Sequence, residues 1–464
     1  MIKFGTDGWR AIISDEFTFD NVRKVARAIA KYLLSDPKLT ANGRPLIIGY
    51  DARFLADKFA EEMAKIMKEA GINVLLTEKD TPTPVIAWEV RQRKAAGAIV
   101  LTASHNPPEY CGIKFIPEYA GPANETITKQ LQENSNLDIS LPIPVQKGLI
   151  ERFEPRDRYI YAIKAMIDKD AISRAKLKIV CDPMHGSGRG YLDKILQELG
   201  CQVDVIHGER DVLFGGQNPE PADEHLQELK KKVVESKSSI GLANDGDADR
   251  FGIVAENGDF YSANQIIPML FHYLLVDKKA KGVVVRSIAT SNFVDRIARH
   301  FKIKVVETPV GFKHIANVMM NEQVIIGGEE SGGLSIHGHI PEKDGILADL
   351  LVVEMLAKRK KTLSQIWKEL ISEFGGIFGD RTNLKLDENT KTAFINKLKD
   401  ANFNELAGIK IAERNTVDGV KLILDANSWV LARPSGTEPL VRIYAESDDA
   451  EKLKKIMMAV KALI

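Results

Sequence analysis

The chain has 464 residues, of which 44% are hydrophobic and 28% charged, a balance that buries sizeable cores and excludes an intrinsically disordered chain. At roughly 150 residues per domain, this length predicts about three domains and excludes a single small module. Lys plus Arg and Asp plus Glu number 64 each, for a formal net charge of zero, so no global field draws nucleic acid or an anionic membrane and any anion site must be local.

The opening MIKFGTDGWR has no apolar signal core behind a basic end, and no apolar run reaches the roughly 18 residues of a membrane helix. Gly5-Thr6-Asp7-Gly8-Trp9-Arg10 precedes the first expected regular element. It reads either as a flexible turn or as a loop whose arginine neutralises an anion. Residues 20–34 carry Val22, Val25, Ile29 and Tyr32 at helical spacing, with Asp20 as the expected N-cap. The apolar run 46–48 then leads into Gly49-Tyr50-Asp51. A second helical pattern with Leu55, Phe59, Met63 and Ile66 follows, Gly71 is the expected C-cap, and residues 72–76 read as a strand.

This strand, helix, strand order returns at 178–206 and again at 282–306. Its apolar strands suit burial in mainly parallel sheets covered by helices. The end of the chain differs: 420–424, 429–432 and 440–445 read as strands and 450–463 as a closing helix, a smaller α+β unit. The polar stretch 134–148 and the segment 374–386 are expected boundaries. Cys111, Cys181 and Cys201 are few, odd in number and widely spaced, as suits buried apolar thiols in a reducing compartment and a cytoplasmic enzyme.

Several short segments could carry chemistry. Thr102-Ala103-Ser104-His105-Asn106-Pro107-Pro108 follows the apolar run 98–101, so a strand ends in a stiff loop displaying a hydroxyl. A serine needs an activating partner, and neighbouring side chains rarely face each other, so His105 is not its base by adjacency alone. Asp245-Gly246-Asp247-Ala248-Asp249 places carboxylates at alternate positions. Such charges repel unless a cation sits among them, and hard oxygen ligands favour magnesium or calcium; a solvated acidic turn is the bland reading. A calcium-binding helix-loop-helix is rejected, because Arg250 stands where that loop needs glycine and 251–255 reads as a strand.

Arg433-Pro434-Ser435-Gly436-Thr437-Glu438-Pro439 lies between two expected strands and offers a guanidinium, hydroxyls and backbone N–H groups, the equipment of a phosphate cradle or of an ordinary hairpin turn. Gly327-Gly328-Glu329-Glu330-Ser331-Gly332-Gly333 reads equally as a sugar-binding loop or a tight bend. His337 and His339 lack a third metal ligand at convincing spacing and read as surface or core histidines. Lys343 and Arg286 read as surface charge.

Taken in this order, FGTDGWR, TASHNPPEYCGIKF, DGDADR, GGEESGG and RPSGTEP resemble the α-D-phosphohexomutase family, the phosphoglucomutases and phosphomannomutases, over residues 4–439. The resemblance implies an α/β fold: three related α/β domains with mainly parallel mixed sheets and a smaller C-terminal α+β domain, heart-shaped around a central cleft. The expected domains are 1–145, 146–257, 258–373 and 374–464.

It further implies that Ser104 carries a phosphoryl group and that Asp245, Asp247 and Asp249, with Ser104, hold Mg2+. Arg10, Lys114 and His105 would serve the transfer. Arg433, Ser435, Gly436 and Thr437 would grip the substrate's non-reacting phosphate, Glu329 and Ser331 would contact sugar hydroxyls, and Lys343, Arg250 and Gly311 would complete substrate binding. The implied reaction interconverts hexose 1- and 6-phosphates through phosphoserine and a 1,6-bisphosphate, with glucose 1,6-bisphosphate as activator, in a monomer or homodimer without nucleic-acid or membrane partners. Gly333 stands where the phosphomannomutase/phosphoglucomutase branch often has histidine. The Glu329-Glu330-Ser331 and His339-Ile340-Pro341-Glu342-Lys343-Asp344-Gly345 segments look more like the phosphoglucomutase branch, so glucose phosphate is the expected main substrate and mannose phosphate a tolerated one. A phosphoglucosamine mutase, a sugar-phosphate phosphatase and a noncatalytic sensor are the alternatives.

Overall fold

The computed structural model describes residues 1–5, 7–435 and 440–464. Three mixed sheets follow one another along the chain. The first runs in the order Trp9–Ile12, Tyr110–Pro117, Gly97–Leu101, Leu46–Tyr50, Val74–Thr77, Ile150–Phe153. The second runs Phe260–Tyr261, Phe251–Ala255, Ile240–Asn244, Lys178–Asp182, Gln202–Val205, and the third Val305–Thr308, Val283–Ser287, Val324–Gly328, Leu334–Ile336. The first sheet thus takes its outer strand from beyond residue 145, and the second from beyond 257.

One pattern repeats in all three. A central strand pairs in parallel with its neighbours, and the later parallel neighbour turns back into an antiparallel strand: Gly97–Leu101 into Tyr110–Pro117, Ile240–Asn244 into Phe251–Ala255, Val324–Gly328 into Leu334–Ile336. The serine loop, the aspartate loop and the Glu329 loop are these three turns. Each therefore hangs from the carboxyl end of a parallel strand, where open α/β sheets place their ligands. The terminal unit is an antiparallel five-stranded sheet closed by the helix Ala450–Lys461, in which Ser428–Pro434 and Leu440–Ser447 are paired neighbours.

Packing ties these units unequally. The helix Gly345–Arg359 is buried from Gly345 to Ala357, because its side chains are apolar on nearly every face. It lies within one continuous core that runs from Tyr159 and Ile179 of the second unit to Phe293 and Trp367 of the third. The terminal sheet has its own core around Leu422, Val441 and Ile456. It meets the third unit through a small apolar cluster of Ile288, Ala289, Trp429, Leu431 and Tyr444.

Local departures from the sequence expectation have physical reasons. The first helix spans Phe19–Ser35 and is capped by Thr18, whose hydroxyl accepts from Asn21 N, while Asp20 sits in the first turn and pairs with Arg23. The N-terminal motif is not a flexible turn: Trp9–Ile12 is an edge strand antiparallel to Tyr110–Pro117. Residues 374–386 do not form a bare linker, since Phe378–Lys385 pairs along its whole length with Leu440–Ser447. Cys111, Cys181 and Cys201 are buried. Among the described residues no helix is long and apolar enough to cross a membrane.

His207 makes a pH-sensitive tie in the second unit. Its Nδ1 lies 3.0 Å from Asp182 Oδ1 and its Nε2 3.3 Å from Glu228 Oε2, and the bond to Asp182 pushes its pKa up to about 9. A folded-state pKa above the unfolded value adds stability that is complete below about 6.5 and is lost as pH rises through 9. Allowing for partial exposure, this amounts to about 1–2 kcal/mol. His207→Gln is expected to lower the denaturation midpoint at pH 6 and to match the wild type at pH near 10; an equal deficit at both would contradict the coupling.

Candidate active site

The serine loop is organised by a residue that the sequence reading missed. Arg53 is wholly buried, and its guanidinium donates to four loop carbonyls: Pro107 O at 2.7 Å, Tyr110 O at 2.8 Å, Ser104 O at 2.7 Å and Asn106 O at 2.6 Å. Asp51 balances its charge at 3.2 Å and also accepts from Thr102 Oγ1 at 2.5 Å, while that hydroxyl accepts from Ser104 N at 2.8 Å. Burial raises Asp51 to about 6 against the opposing pull of Arg53. These bonds hold Ser104 at φ 54°, a left-handed conformation that a non-glycine residue keeps only where its surroundings impose it. The available signal was Asp51-Ala52-Arg53 directly after an apolar strand, where a buried arginine would need acceptors.

So held, Ser104 Oγ donates to Asp245 Oδ2 at 2.8 Å and lies 3.4 Å from His105 Nδ1. Burial, reinforced by the charges of Arg250, Arg10, Lys343 and Lys114, keeps the His105 pKa well below the usual histidine value, so its ring is neutral. Asp245, Asp247 and Asp249 are fully buried, and one oxygen from each lies within 4.8 Å of the others. Burial and the like charges of Asp247 and Asp249 push Asp245 far up. Asp247 is held low despite its burial, by Lys114, Thr83 and Lys343.

Two ammonium groups face this triad. Lys114 Nζ lies 2.9 Å from Asp247 and 2.7 Å from Asp249, and Lys343 Nζ lies 2.9 Å from Asp249. Both also reach Asp7 Oδ2, at 3.0 and 3.3 Å. Asp7 is a second missed residue: it stays ionised against its burial because Lys114, Lys343 and Arg10 surround it. Arg10 Nη1 donates to Asn106 Oδ1 at 2.7 Å, so the N-terminal strand delivers its cation to the serine loop. Even with these lysines, Asp247 Oδ1 and Asp249 Oδ1 are buried without a hydrogen-bond partner among the described residues. Buried orphan carboxylate oxygens converging with Asp245 form a hard donor set suited to a divalent cation.

The Glu329 loop packs against this centre through Gly332 O, which accepts from Phe251 N at 3.2 Å. Glu329 Oε1 accepts from Gly311 N at 2.7 Å, and burial with the nearby Glu330 raises its carboxyl to about 7. Ser331 is half-buried in the same turn. A Cβ on Gly333 would lie 2.4 Å from Lys343 Cδ: the lysine stem fills the space that a histidine at 333 would need.

Lys343 is therefore a buried site residue and not surface charge. Arg286, also read as surface charge, is buried in ion pairs with Asp295 and Glu307, away from the triad. His339 is a core histidine, bonded to Asp344 beside Tyr159, while His337 is exposed. Arg250 donates its backbone N–H to Asp245 Oδ1 at 3.0 Å, and its guanidinium Nε is buried without a hydrogen-bond partner among the described residues. Ser104, His105, Arg10, Lys114, Lys343, Arg250 and the aspartates thus form one cluster. Arg433 and Ser435 belong to the terminal sheet, where Arg433 Nε donates to Asp418 at 2.8 Å and Ser435 N to Leu440 O at 2.9 Å. Gly436 and Thr437 lie outside the described residues.

Four domain models match in order along the chain. Those of phosphoglucomutase/phosphomannomutase alpha/beta/alpha domains I, II and III match residues 1–138, 157–258 and 262–374, and that of the C-terminal domain matches 382–463. A phosphoglucomutase/phosphomannomutase of Thermococcus kodakarensis is 33% identical over 458 residues, covering 98% of this chain and 96% of that protein. The chain belongs to the phosphoglucomutase/phosphomannomutase family. Members of this phosphohexomutase family are isomerase-type phosphotransferases, and the chain is an enzyme of that class. A Methanobrevibacter smithii protein named as a phosphoglucosamine mutase is 30% identical, covering 98% of this chain and 96% of its own. A solved structure from Thermus thermophilus that bears the name phosphomannomutase superposes with a TM-score of 0.86 at 33% identity, covering 100% of this chain and 98% of that one. The four-domain family architecture agrees with the three mixed sheets and the antiparallel terminal sheet described above.

Proposed function

We propose that this phosphohexomutase interconverts the 1- and 6-phosphates of glucose, with mannose phosphate as a slower substrate, through phosphoserine at Ser104 and a 1,6-bisphosphate. The observation that carries the reading is Ser104 Oγ, 2.8 Å from a buried aspartate triad and backed by Lys114 and Lys343. In the first half-reaction the free sugar hydroxyl attacks the phosphoserine phosphorus. Its bond to phosphorus forms as the bond to Ser104 Oγ breaks. The hydroxyl proton passes through the neutral His105 ring, whose Nδ1 lies 3.4 Å from Oγ, to the departing serine oxygen. The bisphosphate then turns over and returns its other phosphoryl by the reverse route.

Asp245, Asp247 and Asp249 would hold Mg2+, which supplies offset for the charge on the transferring phosphoryl. Lys114 stays protonated among three carboxylates and contributes charge to that group rather than taking its proton. Arg433, Ser435, Gly436 and Thr437 would grip the non-reacting phosphate. Glu329, poised near neutrality, can accept from or donate to a sugar hydroxyl, with Ser331 beside it and Gly311 fixing its carboxylate.

Turnover of α-glucose, mannose and glucosamine 1-phosphates with Mg2+ and a trace of glucose 1,6-bisphosphate tests the reading. Glucose is expected first, with kcat/KM about tenfold or more above glucosamine. Glucosamine 1-phosphate in first place would transfer the assignment to the phosphoglucosamine mutases, whose name several relatives bear. Chelation of divalent metal is expected to abolish turnover and Mg2+ to restore it; activity that persists after exhaustive chelation would remove the metal from the scheme.

A further inference from the structure

The terminal domain touches the third unit through a hairpin turn that also holds Arg433. The turn joins Glu413–Asn415 to Val420–Asp425, and Asp418 sits at its tip. One oxygen, Asp418 Oδ2, accepts two hydrogen bonds: from Arg433 Nε of its own domain at 2.8 Å and from Val310 N of the third unit at 2.9 Å. The next backbone N–H, that of Gly311, donates to Glu329 Oε1 at 2.7 Å. Arg433, Asp418, the Val310-Gly311 turn and Glu329 thereby form one hydrogen-bonded string across the domain boundary.

The turn is tightly seated. Gly419 has φ +86°, and a Cβ there would lie 2.5 Å from Ala432 O and 3.0 Å from Arg433 Cα, so the turn backbone rests directly on the strand that carries Arg433. A second bond fixes the same turn on the third unit: Asn415 Nδ2 donates to Glu307 Oε1 at 2.8 Å. Elsewhere along this boundary the domains share the small apolar cluster around Trp429 and Leu431 and a second polar group, in which Lys421 Nζ donates to Ile288 O at 2.9 Å and to Glu307 Oε2 at 3.0 Å and Asn292 N donates to Glu446 Oε1 at 3.0 Å, so polar contacts set much of their relative orientation. A carboxylate holding a guanidinium through Nε also sets the plane in which its remaining N–H groups point.

We propose that Asp418 is a positioning residue that aims Arg433 at the substrate's non-reacting phosphate and couples that grip, through the Val310-Gly311 turn, to the sugar-contacting Glu329. The inference rests on the phosphate-gripping role proposed for Arg433. The binding energy of the distal phosphate then registers on the sugar loop of another domain, and a substrate bridging the two loops stabilises the docked arrangement. Asp418 itself touches no reacting atom, so its loss weakens binding more than it slows chemistry.

The test compares the wild type with Asp418→Ala, Asp418→Asn, Arg433→Ala and the Asp418→Ala/Arg433→Ala pair, by KM and kcat on the best of the three hexose 1-phosphates and by calorimetric dissociation constants for the same sugar 6-phosphate. Asp418→Ala is expected to raise KM and the dissociation constant about tenfold or more with kcat within about threefold, and Asp418→Asn to recover most of the loss. In the Arg433→Ala background, Asp418→Ala should add less than about twofold, because the group it aims is gone. A merely structural Asp418 would lower the melting midpoint while leaving KM within about twofold of the wild type, or would act additively with Arg433→Ala, and either result overturns the proposal. If Asp418→Ala does not fold, the decision passes to Asp418→Ser, whose shorter side chain cannot span both donors, alone and with Arg433→Ala, under the same KM and additivity criteria. Absence of turnover by the wild type on all three sugars would strike the reaction assigned above, and the dissociation constants would then decide on Asp418 by themselves.

Discussion

Ser104→Ala is expected to lower mutase turnover by about 10⁴-fold or more, since the variant keeps the site but has no atom to carry the phosphoryl between half-reactions. The fold should survive. Among the described residues Ser104 Oγ donates to Asp245 Oδ2 and otherwise only approaches His105, and the backbone geometry of the loop is held by Arg53 and Thr102 instead. Losing one donor to a buried carboxylate costs about 1–3 kcal/mol at most. The measurement is a coupled assay of hexose 6-phosphate formation, paired with intact-mass analysis after incubation with glucose 1,6-bisphosphate. The wild type should gain the mass of one phosphoryl group and the variant none. A variant that still turns over, or a wild type phosphorylated elsewhere, would remove Ser104 from the centre of the reaction.

Arg53→Ala is expected to cost about 3–5 kcal/mol in stability and, in whatever folds, about 100-fold in kcat. The guanidinium satisfies carbonyls of Ser104, Asn106, Pro107 and Tyr110 at once, and its removal takes that donor from all four and leaves the buried Asp51 without its charge partner. Asp51 is already raised to about 6 by burial, with Arg53 the main opposing influence, so the variant should bury a protonated carboxyl there. Arg53→Lys should rescue little: a single ammonium cannot reproduce a planar fork aimed at carbonyls on two sides. The changes appear in the chemical denaturation midpoint and in kcat measured at saturating substrate. Wild-type values for both in Arg53→Ala would show that the loop holds its shape without the arginine.

Much of the scaffold was legible in the sequence because its strands are short apolar runs. The apolar runs 178–182 and 251–255 read as strands, and both are strands of the second sheet. The edge strands escaped notice for a common reason. Trp9–Ile12 is only four residues long, too short to show a period, and finds its partner about a hundred residues away, and Phe378–Lys385 is largely exposed and polar. An edge strand is defined by the neighbour that its backbone pairs with, which local periodicity does not record. The helix cap at Thr18 rather than Asp20 is a smaller case of the same kind, since both residue types cap well and the choice follows from where the chain enters the helix.

For the site, the order of residues along the chain established which groups were available: a serine displayed after a strand, three carboxylates at alternate positions, an arginine with hydroxyls between two strands. Their types and spacing already state the chemistry that they can perform. Folding settled which charges are buried and whom they meet. Lys343 and Arg286 look alike along the chain, yet one faces Asp249 and Asp7 in the site while the other is spent on Asp295 and Glu307. Asp7, Arg53 and Asp418 gained their roles in the same way, from partners far off in sequence or across a domain boundary. The physical reason is that the energy of a buried charge depends on the groups within a few ångströms of it, and those neighbours are assembled only when the sheets pack.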